Sequence, residues 1–308
     1  MATFHQYSQE EALSQLPPIL LTQLPHSNPI YNRIRAPHNT PSRHCLFAST
    51  LPPNSPPTDG EPYTIIFADR SRHTESQIWV FNSLITKPSL SEQEELLLSN
   101  HVLAAIQFIK NVQIPEAPGW PFSSTLRFGC VHEFIAKSMV KICKDNDDAM
   151  PYITTWNAWP IQTTNISSKT LPEGLKVSRV PESQIDLVVA TSPIPRAVAT
   201  LLLQPSVGVL DEKGDLVAWG YCGVDGSFAT LHVQPEHRGK GLGTFVANEI
   251  LGRLSRGDYA DLGFDGSSGW VHSDVKDGNK ASESVMKSLG GRIGWKSSYL
   301  WIDSSKFS

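Results

Sequence analysis

The residues best suited to chemistry lie in the stretch 228–253, where a short apolar strand, Phe228 to Gln234, runs through Pro235 into Arg238-Gly-Lys-Gly-Leu-Gly243 and then into a helix. Glycines at 239, 241 and 243 leave their N–H groups uncovered by side chains, and the first turn of a helix carries unpaired donors with partial positive charge. Such a turn is built to hold a diphosphate. Arg238 adds a planar fork at the rim and Lys240 a mobile point charge. The expected contacts are Arg238, Gly239, Lys240, Gly241, Leu242, Gly243 and Thr244.

Two common owners of glycine-rich turns do not fit. A Walker loop requires Gly-Lys-Ser/Thr, whereas Gly243-Thr244 has no lysine between them. The dinucleotide fingerprint spaces its glycines G-x-G-x-x-G, and here they alternate. Proton transfer has several candidates nearby. His232 projects from the strand, His272 sits in Trp270-Val-His-Ser-Asp-Val275 with Asp274 as a possible orienter, and Asp225 is the acid nearest the strand's start. Histidine titrates near neutral pH, which suits it to general base work. Each imidazole can equally be a packing group, and Asp225-Gly226 is equally a turn. Glu236 reads as solvated.

The elements that position these residues follow from periodicity. Leu242, Phe245, Val246, Ile250 and Leu254 share one helical face. Upstream, Val207 to Leu210 and Leu216 to Gly223 form a hairpin around Asp211-Glu-Lys-Gly-Asp215, after a strand at Leu175 and helices from Pro181 and Arg196. Downstream come a strand near His272, a helix near Asn279 to Leu289 and a last strand at Ser298 to Ile302. In the first half, Pro17, Pro18 and Pro25 are expected to break residues 10–35 into short helical pieces, and residues 37–62 hold seven prolines around Cys45 to Ala48, a surface excursion. Strands follow at Tyr63 to Ala68, Gln77 to Phe81 and Thr125 to Val131. Ser91 with Glu94 makes a capping box for a helix buried through Leu98, Val102 and Ile106. Nothing there repeats the glycine loop. Tyr152 to Ile161 reads as a connecting strand and Gln162 to Gly174 as a linker, giving domains at 1–165 and 166–308.

Length and charge narrow the function classes. A chain of 308 residues with net charge −4 predicts two α/β domains and lacks the positive field that nucleic-acid binding needs. Its four cysteines are scattered without metal-ligand spacing, so no metal is expected. No apolar run reaches membrane-spanning length, which together with the polar start predicts a cytoplasmic protein with no membrane partner.

The loop resembles motif A of the GNAT superfamily, Arg/Gln-x-x-Gly-x-Gly/Ala, read here as Arg238-Gly-Lys-Gly-Leu-Gly243 after Val-Gln-Pro-Glu-His. Trp270 to Val275, followed by Asn279, Ser282, Val285-Met286 and Leu289-Gly290, is similar to the C-terminal region of glycine N-acyltransferase-like proteins. The resemblance covers about residues 171–303. It implies tandem GNAT-like domains, each a twisted, mostly antiparallel sheet flanked by helices, the first one degenerate and without a coenzyme A loop. It also implies acyl transfer from acyl-CoA, acetyl-CoA by default, to a small amine or amino-acid-like acceptor. Pantetheine would then lie along Leu231 and Val233, with the Val233 N–H as oxyanion donor and Asn279 and Ser282 facing the coenzyme arm. Two departures from the family stand out: no glutamate occupies the motif strand, and Met286 stands where many relatives place a tyrosine that protonates the leaving thiolate. Asn279 read plainly is a helix cap, and Trp270, Trp295 and Trp301 are core residues or walls of an acceptor pocket. A catalytically silent coenzyme A-binding scaffold and an O-acyltransferase on a small alcohol share the same fold and loop.

Overall fold

Runs of β-branched and aromatic residues bounded by turn formers set the strands, and one-sided apolar stripes set the helices. A computed structural model describes residues 2–40, 43–69, 75, 77–112, 124–166, 170–192, 194–264 and 268–307. Parts of the expected excursion (41–42) and linker (167–169) lie outside the described residues. The chain runs β1 (His5–Tyr7), α1 (Gln9–Leu21), α2 (Asn28–Arg35), β2 (Leu46–Ser49), β3 (Thr64–Asp69), β4 (Gln77–Asn82), α3 (Glu92–Asn111), β5 (Thr125–His132), α4 (Glu133–Asp145) and β6 (Tyr152–Gln162). It continues with β7 (Lys176–Ser178), α5 (Ile185–Thr191), α6 (Val198–Leu202), β8 (Ser206–Leu210), β9 (Leu216–Cys222), β10 (Phe228–Val233), α7 (Leu242–Arg256), β11 (Trp270–Val275), α8 (Lys280–Ser288) and β12 (Trp295–Asp303).

Two compact units emerge, Met1–Trp156 with Trp295–Ser308, and Asn157–Gly294. The sequence expectation placed the division near residue 165 and kept the tail with the second domain. The difference has a physical source: β12 pairs antiparallel with β5 from Ser297 opposite His132 to Asp303 opposite Thr125 and so returns to unit 1.

In unit 1 the strand order is β1-β2-β3-β4-β5-β12, followed by the first half of β6. Thr155 Oγ1 meets Ser298 Oγ at 3.0 Å across β6 and β12. β4 and β5 run parallel, with Ile78 opposite Phe128. The core includes Phe67, Phe81, Ile106, Ile135, Met139 and Leu300. Pro17 and Pro18 do not break α1 as expected; both sit inside it. Burial of Leu16, Pro17 and Leu20 outweighs their poor helix propensity. The capping box at Ser91 and Glu94 forms as read.

Unit 2 carries an antiparallel sheet ordered β10-β9-β8-β7, and β11 pairs with the second half of β6. Just ahead of β10, Ser227 makes a parallel bridge to His272 of β11. Beyond that bridge each strand borders its own sheet. Helices α7 and α8 cover one face through Leu242, Val246, Ile250, Met286 and Leu289, packed with Leu231, Val233 and Val271. Gly220 on β9 allows this close packing, because a Cβ there would come within 3.0 Å of Val246 Cγ1 and 3.2 Å of Ile250 Cδ1. The other face holds a smaller cluster of Ile185, Val188, Leu201, Trp219 and Tyr221 under α5 and α6. Among the described residues, no helix is long and apolar enough to cross a membrane.

Candidate active site

The loop between β10 and α7 takes the conformation that its glycines permit. Gly239 and Gly241 have φ of +75° and +77°, and a Cβ at either would meet no atom within 4 Å. Gly241 is the N-cap of α7 and offers no side chain to the first turn. Phe245 N–H returns to Gly241 O at 3.0 Å. Among the described residues, none accepts from the N–H groups of Gly239, Lys240, Gly241, Leu242, Gly243 or Thr244. Six consecutive donors thus stand open at the positive end of a fifteen-residue helix. No acidic residue occupies that first turn. An anion with several oxygens fits this set of donors. Thr244 takes part through its N–H alone, since its hydroxyl is tied to Ser288 Oγ at 3.1 Å.

The edge of β10 is equally specific. Its register against β9 shifts between Ala229 and His232, and Thr230, at φ +55°, is the bulged residue. The bulge brings Ala229 and His232 onto the same face, and Leu231 and Val233 onto the face of α7. Gln234 N–H donates to Val217 O at 2.9 Å, so by alternation the Val233 N–H points away from β9 toward the free edge. The Val233 carbonyl on that same edge accepts from Arg238 Nε at 3.0 Å. Arg238 therefore braces the strand end as well as standing at the loop's rim, a role the sequence did not suggest.

At the bridge from Ser227 to β11 the candidate acid–base groups converge. His272 is 2% exposed, and its N–H donates to Gly226 O at 3.0 Å. A carboxylate oxygen of Asp225 lies within 4.8 Å of a ring nitrogen of His272. Asp225 is a turn residue too, its Oδ1 accepting from Ser227 N at 3.1 Å and Ser227 Oγ at 2.6 Å. Asp274 lies two residues along β11, on the same face as His272. His232 is stacked on Trp219, ring centroids 4.5 Å apart, and burial lowers its pKa. Asn279 caps α8, its Oδ1 accepting from Ser282 N–H at 3.2 Å. Met286 is buried in the core under α7. Of the three tryptophans, Trp295 and Trp301 belong to β12 in unit 1, beside His26 and Tyr152, and only Trp270 lies in unit 2. Cys222, beside this turn, has its thiol pushed up to about 12 by burial and by Asp225, which makes it a poor nucleophile.

Sequence reasoning missed the approach of Asp225 to His272, because the two strands are distant in the chain and meet only through the parallel bridge. It also missed the bulge at Thr230.

Comparison with known proteins agrees with this geometry. Residues 2–159 match the family model of the acyl-CoA N-acyltransferase verG N-terminal domain, and residues 206–302 match the FR47-like protein family. Among curated proteins none is matched. An X-ray structure of a Drosophila protein superposes with a TM-score of 0.67 at 14% identity, covering 98% of this chain and 99% of that one. A tandem GNAT protein from the clavulanic acid biosynthesis pathway, solved without AcCoA, gives 0.50 at 12% identity and covers 98% of each chain. At such identities the likeness is one of fold, and the fold is the tandem, mixed α/β arrangement expected. With the first family model spanning more than half of its residues, the chain belongs to the verG-type acyl-CoA N-acyltransferases of the GNAT superfamily, which take their acyl group from acyl-CoA.

Proposed function

We propose that unit 2 transfers an acyl group, acetyl by default, from acyl-CoA to the amine of a small, amino-acid-like acceptor in the cytoplasm. The observation that carries this reading is the row of six open N–H groups at 239–244 beside the free edge of β10. These amides, with Lys240 and Arg238 at the rim, would hold the coenzyme's diphosphate. Leu231 and Val233 would guide the pantetheine arm along the strand edge, with Asn279 and Ser282 on the far side. Bound there, the thioester supplies an activated acyl carbon and a good leaving group.

Val233 N–H donates to the carbonyl oxygen as it gains charge, a contribution of about 3 kcal/mol by analogy with other oxyanion donors. His272 accepts the proton that the attacking amine loses, and the Asp225 carboxylate facing it stabilises the imidazolium. His232 is less suited to this role, since its ring is stacked against Trp219 and burial disfavours its charged form. As the nitrogen–carbon bond forms, the carbon–sulfur bond breaks. With Met286 unable to donate, the thiolate takes its proton from solvent.

Thiol release from acetyl-CoA in the presence of a panel of amines tests the reading. His272→Ala is expected to lower kcat about 100-fold or more while coenzyme A still binds. Unchanged turnover in that variant removes His272 as the base, and no thiol release with any amine by the wild type removes the reading.

A further inference from the structure

On the face of unit 2 opposite α7, three polar atoms are buried without a partner: Trp219 Nε1, Tyr221 Oη and His232 Nε2. Trp219 and Tyr221 are 0% and 1% exposed and stand two residues apart on β9, while His232 is the cross-strand neighbour of Trp219. Buried polar groups are almost always hydrogen-bonded, so orphan atoms on two core side chains, with a third on the half-buried His232 beside them, call for a ligand. We infer that this row is the wall that recognises the acceptor, and that it fits an amine with an apolar, uncharged body bearing a hydrogen-bond-accepting oxygen.

The inference rests on the acyl-transfer reading above, and three observations extend it. First, a thioester carbonyl at the β10 edge is approached from a face of the sheet, and the α7 face is filled by core side chains. The opposite face is also packed at Trp219 and Tyr221, but His232 at the strand edge is only half-buried, and the amine comes in past it. Second, the surroundings of Trp219 and Tyr221 are aliphatic, built on Ile185, Val188, Leu201 and Leu216. A second ammonium group or a carboxylate on the acceptor would be desolvated there without a counter-charge. Third, the segment over this face continues the apolar surface outward, with Ile194, Val198, Leu202 and Leu203 between 39% and 47% exposed. Neutral indole N–H and phenol O–H groups complement a carbonyl or hydroxyl oxygen.

The test uses the full chain with acetyl-CoA and three amines: benzylamine, 4-(aminomethyl)benzamide, which differs by one carboxamide, and spermidine. The wild type is expected to use the carboxamide at least tenfold better in kcat/KM than benzylamine, with spermidine poorest. Tyr221→Phe is expected to erase that preference through the acceptor KM and to leave the acetyl-CoA KM unchanged. It should also raise Tm, because an orphan hydroxyl is removed from the core. A higher Tm with the preference intact means that the hydroxyl is only a packing defect and overturns the inference, as does spermidine as the best acceptor. If Tyr221→Phe does not fold, His232→Phe carries the same expected loss of preference, and its retention overturns the inference equally. Transfer to none of the three amines, with coenzyme A not bound, defeats the acyl-transfer reading itself. Transfer to them without dependence on Tyr221 or His232 defeats this inference alone.

Discussion

Helix α3 of unit 1 and helix α7 of unit 2 each follow a strand with a parallel neighbour, β4 beside β5 and β10 beside β11, yet their first turns are chemically opposite. At α3, Ser91 Oγ accepts from Glu94 N–H and the Glu94 carboxylate accepts from Ser91 N–H, with Glu92 and Glu95 completing an acidic turn. Lys87 and Ser91 hold the Glu94 carboxyl down at about 2, so the helix supplies its own anion. At α7 there is no capping side chain and no acid in the first turn, and among the described residues no acceptor for six amides. Similar strand-to-helix geometry thus gives a closed structural joint in one unit and an anion site in the other. The sequence of the first turn decides which.

The comparison can be broken by mutation. The largest expected effect is structural and confined to unit 1. Arg33 and Asp69 form a 2.8 Å ion pair with both side chains 2% exposed, and the guanidinium lies 4.4 Å from the Trp79 ring centroid. Asp69→Ala leaves that charge uncompensated and should cost about 3–5 kcal/mol in denaturant unfolding. Next comes Gly241→Glu, which gives α7 the acidic start of α3. The new side chain meets no atom, but its backbone would be held at φ +77°, a strain of about 1–2 kcal/mol. Coenzyme A affinity should fall about 100-fold by calorimetry, through charge repulsion and loss of the cradle.

A pH effect separates the units further. In folded unit 1, His132 titrates at about 3, because burial and then the nearby His26 disfavour its charged form. The unfolded chain protonates the same ring near about 6.5. Stability is therefore fully present above pH ~6.5 and is lost as pH falls toward 3, by at most about 1.4 kcal/mol per pH unit from this group. His132→Asn keeps an acceptor for the Phe134 N–H and should flatten that slope in pH-dependent melting. The smallest effect expected is that of Ser91→Ala, about 1 kcal/mol of stability with coenzyme A binding unchanged.

Local features were legible in the sequence. Glycine spacing marks the open helix start, and S-x-x-E marks the closed one, because both depend on residues within one turn. What escaped was set by pairing at a distance. The terminal strand β12 has an apolar pattern that suits either unit, and its partner β5 is chosen by register. Thr230 is a β-branched residue at positive φ, a conformation that its type argues against and that only the pairing with β9 enforces. Trp219 and Tyr221 carry no sequence signal of a site, being core by burial, and their missing partners are visible only in three dimensions.

Titration calorimetry comparing coenzyme A with pantetheine, which lacks the diphosphate, tests the central claim most directly. If the amides of 239–244 hold the diphosphate, coenzyme A binds the wild type about 100-fold more tightly than pantetheine, and the advantage vanishes in Gly241→Glu. Equal affinities for the two ligands, or an advantage that survives that substitution, would contradict it.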